Sequence, residues 1–240
     1  PEYNTVDASL WYVEAWRDYY DTTQDIEAIS EVLPMLEEII YAYEGGTEYG
    51  IVMDETDGLI QAGVLGQQLT WMDARANGVE VTPRIGKPVE INALWYNALN
   101  ILIYFRKQLS LPADKFQHLA NNVFHGFQRF IRNDGLGLID VLDGPQGHDY
   151  AIRPNQIFSL SLKYSPLSNT SVRKSVLKVC KDYLLTDVGL RSLSSDHPDY
   201  VGFYQGSVNQ RDSSYHQGTV WSWLLGHFAL ADYAVDGDAN

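Results

Sequence analysis

The sequence predicts an all-α chain built in two layers, and three observations predict it. Apolar residues recur at helical spacing through seven segments of the 240-residue chain. These segments alternate between helices apolar on most faces and helices apolar on one face, and a polar loop precedes each helix of the first kind. A helix apolar all round belongs inside and a one-sided helix outside, which is the pattern of an (α/α) toroid. Periodicity alone also admits a generic helical bundle.

Residues 6–20 place Val6, Leu10, Trp11, Val13, Ala15 and Trp16 around the helical wheel, so this helix is expected to be buried on most sides. Residues 25–43 carry a single stripe, Ile26, Ile29, Val32, Leu33, Leu36, Ile39, Ile40 and Tyr43, and Pro34 is expected to kink the helix or end its first segment. A long connection follows from Gly45 to Lys87, with GG, DG and NG turn signals and β-like pieces at 49–53 and 59–60. Connections of this length inside one domain usually serve function. Segment 88–108 is apolar nearly all round, and Pro88 suits a helix's first turn because the amide it lacks has no intrahelical partner there. Segment 113–132 is one-sided through Phe116, Leu119, Val123, Phe124, Phe127 and Ile131. A short apolar helix at 155–162, a one-sided helix at 170–184 and an apolar helix at 216–235 complete the series. No repeat, low-complexity segment or linker divides the chain, so it reads as one domain.

Composition narrows the function. A net charge of −14 with no basic stripe argues against nucleic acid. No apolar run approaches the roughly 20 residues that span a bilayer, so no membrane partner is expected. The lone Cys180 excludes an internal disulfide and fits a reducing compartment, with the cytoplasm preferred; it lies on an apolar stripe and reads as core. Six Trp and sixteen Tyr supply flat faces that stack on sugar rings, although core packing must account for most of them.

Loops gather function, and four precede the inner helices: NTVD, the 45–87 connection, AIRPN and QRDSSYHQG. They carry the carboxylates Asp7, Asp73, Glu90 and Asp212. Glycoside hydrolysis needs one carboxyl group to protonate the leaving oxygen and another to activate water or attack the sugar. Asp73 stands two residues from Trp71, whose indole would desolvate it and raise its pKa as a general acid requires. Each candidate also has a plain structural reading. Asp7 equally suits a helix cap, Asp212 an ion pair with Arg211, and Glu90 the positive end of a helix dipole. His216 has no His or Cys partner at ligand spacing, so it reads as a hydrogen-bonding histidine, and the DETDG run at 54–58 as a solvated turn rather than a calcium loop. No metal or cofactor is expected.

Six motifs occur in order: NTVDASLWYV, QLTWMDA, PRIGKPVEINALWYNAL, RPNQIFSLSL with YSPL just after it, LLTDVGLRSLSSDHPDYVGFYQG and RDSSYHQGTVWSWLLG. Together they closely resemble the amylo-α-1,6-glucosidase family, the C-terminal glucosidase domain of glycogen debranching enzymes. The resemblance implies an (α/α)6 toroid that hydrolyses α-1,6-linked glucose at branch points of glycogen-like glucans, with inversion. It implies that Asp73 is the general acid. Asp7, Trp71, Arg84, Lys87, Glu90, Asn155, Arg211, Asp212, Tyr215, His216 and Gln217 fall in segments that line the family's glucose pocket, and a branched α-glucan is the implied partner.

The chain departs from the family at its ends. The family's base is a Glu beyond the last helix seen here, whereas this sequence closes at Asp236-Gly237-Asp238-Ala239-Asn240. Residues 1–240 are therefore expected to be a single partial domain that lacks N-terminal and C-terminal portions and its catalytic base. Should it turn over unaided, Glu90 and Asp212 are the carboxylates to test as base. The alternatives are another (α/α)6 glycosidase, glucoamylase-like or trehalase-like, and a noncatalytic glucan-binding module.

Overall fold

A computed structural model describes residues 4–237; Asp238, Ala239 and Asn240, part of the closing segment named above, lie outside the described residues. Its helices are α1 (Ala8–Thr23), α2 (Ile26–Gly45), α3 (Val89–Gln108), α4 (Asp114–Phe127), α5 (Phe158–Ser161), α6 (Thr170–Tyr183), α7 (Val208–Ser214) and α8 (Leu224–Asp236). The chain is helix-rich rather than purely helical. Short antiparallel strands form four small sheets among the described residues: β1 (Val52–Met53) with β2 (Ile60–Gln61), β3 (Arg75–Ala76) with β4 (Val79–Glu80), a sheet of β5 (Lys87–Pro88), β6 (Val141–Gly144) and β7 (Gly147–Asp149), and one of β8 (Leu185–Thr186), β9 (Gly189–Arg191) and β10 (Val220–Trp221).

The core is built around α3. From Val89 to Phe105 only Tyr96, Asn100 and Tyr104 reach solvent, and the helix packs against α1, α2, α4 and α5. Full burial of a Leu, Ile or Phe contributes about 1.5–3 kcal/mol, so this helix with Trp95, Leu99, Leu102 and Phe105 is a principal source of stability. The stripe on α2 is buried as its spacing requires, through Ile29, Val32, Leu33, Leu36, Ile40 and Tyr43. Pro34 neither ends nor divides α2, because packing on both sides of it holds the helix together despite the lost amide.

Three expectations need correction. Helix α1 buries Leu10, Val13 and Tyr20 but leaves Tyr12 and Tyr19 exposed, so it is not enclosed on most sides. Helix α8 buries only Leu224 and Ala231 and exposes Leu230 and Tyr233, again in spite of its apolar sequence. Its start also lies later than expected, since Val220 and Trp221 pair with Arg191 and Leu190 as a strand. Gly218 holds a non-helical backbone just before that strand: its φ is +137°, and a Cβ there would lie 2.5 Å from the Val201 carbonyl.

Sheet β5-β6-β7 has a direct role in placing chemistry. Lys87 pairs with Leu142 and Pro88 with Val141, while the Val89 amide donates to the Asp140 carbonyl at 2.9 Å. Asp140 is thereby fixed at the first turn of α3, beside Glu90.

Candidate active site

The site is founded on a buried group of charges. Arg84 donates from Nη1 and, at 2.8 Å, from Nη2 to the two oxygens of Glu90, and from Nε to Asp140 Oδ2 at 2.9 Å. All three side chains are 2% exposed. Such a guanidinium fork is geometrically matched to carboxylates. Burial disfavours the Arg84 cation, but the fields of Asp140 and Glu90 outweigh it and raise the group above its ordinary range. Arg153 adds a second buried cation, donating to the carbonyls of Ser192 (3.1 Å) and His216 (2.7 Å) and to Gln217 Oε1 (2.8 Å). Its Nε lies 3.9 Å from Asp140 Oδ2 and makes no hydrogen bond. Two buried cations thus balance two buried carboxylates.

This network reaches the loop at 69–74 through Asn155. Its Nδ2 donates to Asp140 Oδ1 and its Oδ1 accepts from Trp71 Nε1, both at 2.8 Å. The loop is held at its other end by His216, whose Nδ1 accepts from the Ala74 amide at 3.4 Å, and at its start by Leu69, whose carbonyl accepts from the Val6 amide at 2.9 Å. Burial, then the fields of Arg153 and Arg84, press His216 down to about 3, so the ring is neutral and its Nδ1 lone pair is free to accept.

Asp73 sits between these anchors with its side chain open to solvent. Polypeptide packed around its base raises the carboxyl above the usual range, and the neighbouring Asp7 carboxylate raises it further, while its own amide opposes. Asp7 occupies the N-cap position of α1 without capping it, because its carboxylate accepts from Thr5 instead of a helix amide. Beside Asp73 the ring of Trp71 meets those of His216 at 5.2 Å, Trp223 at 5.1 Å and Trp221 at 6.0 Å, edge to face. Tyr215 extends the group, with its ring 4.7 Å from Trp221 and 4.9 Å from His216. Trp223 is 45% exposed, so this aromatic wall has a face free for a ligand.

Trp71, Arg84, Glu90, Asn155, Tyr215, His216 and Gln217 are therefore connected to one another and to the loop that carries Asp73. Of these, Arg84, Glu90 and Asn155 are buried and fully engaged, which fits support of the site rather than contact with a ligand. Lys87 stands apart. Its Nζ donates to Asp54 and Asp57 at 2.8 Å and lies 3.1 Å from Asp143, so its three protons face three carboxylates. Asp57 in turn is 10% exposed and also bound by Arg129, so Asp54 and Asp57 belong to an ion cluster, while Glu55 and Thr56 between them stay exposed in the expected solvated turn. Arg211 donates to the Gly206 carbonyl at 3.0 Å, and Asp212 has no ion-pair partner among the described residues, so these neighbours do not pair with each other. No group of three or more His, Cys, Asp or Glu side chains among the described residues is arranged to hold a metal ion.

Two central residues carry little sequence signal. Asp140 is marked only as a lone acid inside the apolar run from Leu136 to Leu142. Arg153 lies in the AIRPN loop beside Asn155, and nothing in the spacing separates a structural arginine there from a ligand-binding one. Helix α7 is also absent from the periodicity, because it is short and polar; its signal is the Ser207-to-Gln210 capping box.

Comparison with known proteins places the chain. The family model described as amylo-alpha-1,6-glucosidase matches residues 1–239. A glycogen debranching enzyme of Saccharomyces cerevisiae is 24% identical over 324 aligned residues, which take in 96% of this chain and 21% of the relative. The chain thus spans about a fifth of that relative's length.

Proposed function

The chain belongs to the amylo-alpha-1,6-glucosidase family, and from that premise we propose that it hydrolyses α-1,6-linked glucose at the branch points of glycogen-like glucans, with Asp73 as general acid. The observation that carries this reading is the state of Asp73. It is a solvent-accessible carboxyl whose pKa is raised, next to an aromatic wall, on a loop held at Leu69, Trp71 and Ala74. A general acid must retain its proton until the leaving oxygen takes it, which burial and a neighbouring carboxylate both favour. Trp71, Trp221 and Trp223 offer the flat faces on which a glucosyl ring stacks. Tyr215, Gln217, Arg211 and Asp7 complete the proposed pocket, while Arg84, Glu90, Asn155 and His216 hold its walls.

The proposed architecture is a single (α/α)6-type domain. Helices α1, α3, α5 and α8 follow one another as neighbours, with α2, α4 and α6 packed outside them, which supports an arc of inner and outer helices. Inversion requires a second carboxylate to activate water on the opposite face of the sugar. Of the two offered by the sequence, Glu90 is closed in by Arg84, whereas Asp212 has no such partner among the described residues.

The test is glucose release from a branched limit dextrin, measured on the 240-residue chain and on the full product of its gene. Whichever form is active should lose roughly 100- to 10,000-fold in rate on Asp73→Asn, the range for a general acid, while glycogen binding changes by less than about threefold, or 0.7 kcal/mol. Retained turnover in that variant removes Asp73 from the acid role. Release by neither form refutes the hydrolase reading.

A further inference from the structure

A second recess lies against α7. The exposed segment 201–205 and the helix border an open, shallow groove of about 400 Å3 lined by Val201, Phe203, Gln205, Asn209, Gln210 and Ser213. Phe203 is 73% exposed and presents its ring to solvent. The polar lining is composed of amides and a hydroxyl, with no charged side chain.

Both walls are tied to the loop and strand that hold the active site. The Val201 amide donates to the Gln217 carbonyl at 2.6 Å, directly after His216. On the other wall Asn209 accepts from the Asn77 amide at 3.2 Å and donates to the Asn77 side chain, in the turn of the hairpin that follows Asp73. Gln210 Oε1 accepts from the Ser207 amide at 2.8 Å, which leaves its Nε2 protons for a ligand. Rings connect the two places as well: Tyr204 to Tyr215 at 5.8 Å, Tyr215 to His216 at 4.9 Å and His216 to Trp71 at 5.2 Å.

An exposed ring with uncharged donors and acceptors suits a neutral polyhydroxyl ligand, whose ring faces stack and whose hydroxyls pair with amides. A phosphorylated ligand would need cations that this lining lacks, and the net charge of −14 opposes it further. We propose that this groove is a second saccharide site, which takes α-1,4-linked glucosyl units of the chain bearing the branch. The proposal rests on the hydrolase reading given above, since that reading supplies a glucan with a chain to hold.

The experiment compares the 240-residue wild type with the double variant Phe203→Ala/Gln205→Ala, with Ser213→Trp, which fills the groove, and with Trp71→Ala, each checked for folding by circular dichroism. Affinity is read from retardation in native gels containing glycogen and, separately, from NMR titration with isomaltose. The two groove variants should bind glycogen roughly five- to tenfold more weakly, as for loss of one aromatic contact, with isomaltose affinity unchanged. Trp71→Ala should weaken both. Glycogen binding unchanged in both groove variants, or an equal fall for glycogen and isomaltose, overturns the second site and leaves the hydrolase reading standing. Wild-type protein that neither glycogen nor isomaltose engages overturns both.

Discussion

Arg84→Met tests whether Arg84 serves the scaffold or the ligand. The substitution preserves volume and removes a cation that satisfies both oxygens of Glu90 and one of Asp140. Those carboxylates are 2% exposed, so water cannot replace the guanidinium. Removing one partner of a buried ion pair costs about 3–5 kcal/mol. Asp140 retains Asn155 and, at 3.9 Å, Arg153, which keeps the estimate within that range although two anions lose their partner. At roughly 2–4 °C per kcal/mol for a chain of this size, the melting temperature should fall by about 6–20 °C. Burial already raises the Glu90 carboxyl and Arg84 opposes that rise, so in the variant its folded pKa moves further above the unfolded one. Stability is then lost as pH rises through those values, and the deficit against wild type should be larger at pH 8 than at pH 5. Urea unfolding followed by far-UV circular dichroism at both pH values measures it. Lys87→Met is the control, because Asp54, Asp57 and Asp143 are 27%, 10% and 36% exposed and Arg129 remains bound to two of them. Water and Arg129 should limit that loss to about 1–2 kcal/mol, below the buried-pair range. A deficit under about 1 kcal/mol for Arg84→Met, or one equal at both pH values, would refute the scaffold role. Unchanged stability with lost glucan binding would return Arg84 to the ligand.

Asp7→Asn should lower the pKa of Asp73, since one of the two influences holding it up is the Asp7 carboxylate; a 13C carboxyl titration with an unmoved midpoint would contradict this. In an active form the basic limb of kcat/KM should move to lower pH with it. His216 is pressed to about 3, below its unfolded value, so the unfolded chain binds the extra proton between pH 6.5 and 3 and stability falls as pH drops through that window. His216→Asn, which keeps an acceptor for the Ala74 amide, should show a shallower loss between pH 7 and pH 4, and equal slopes in urea midpoint would count against a buried neutral ring. Gly126→Ala should destabilise by about 1–3 kcal/mol or more, because the added Cβ would lie 2.0 Å from the Asp57 carbonyl oxygen where α4 meets the ion cluster; a melting temperature within a degree of wild type would show that the contact relaxes freely.

The helical series was legible because packing enforces it at 3.6-residue spacing wherever a stripe meets the core, as on α2 and α3. Exposure of the sides of α1 and α8 was not legible, because composition records how apolar a helix is and not what lies beside it. The same limit applies at the site. Trp71, Asp73, Asn155 and His216 stood in segments marked by motif and loop position, and the fold joins them. Lys87 stood in the same motif as Arg84 and Glu90, yet β5 directs its side chain to Asp54, Asp57 and Asp143 instead. Alternation along a strand sends neighbours to opposite faces, and a two-residue strand is too short to announce itself in a pattern.

Asp73 and Asp140 show how one residue type is set to two tasks within a single network. Asp140 accepts from Arg84 and Asn155 and has Arg153 nearby, so both of its carboxylate oxygens are held by donors. Asp73 is reached by none of these cations and has a carboxylate, Asp7, as its charged neighbour, so its proton is harder to remove. The anchors around Asp73 bind the carbonyl of Leu69, the indole of Trp71 and the amide of Ala74, and leave the carboxyl group free. Positional order therefore comes to the proposed acid without the ionising contacts that would disable it. Moving a cation into reach, as Tyr215→Arg would attempt, should lower the Asp73 pKa while the buried network stays intact, and the same carboxyl titration would detect the shift.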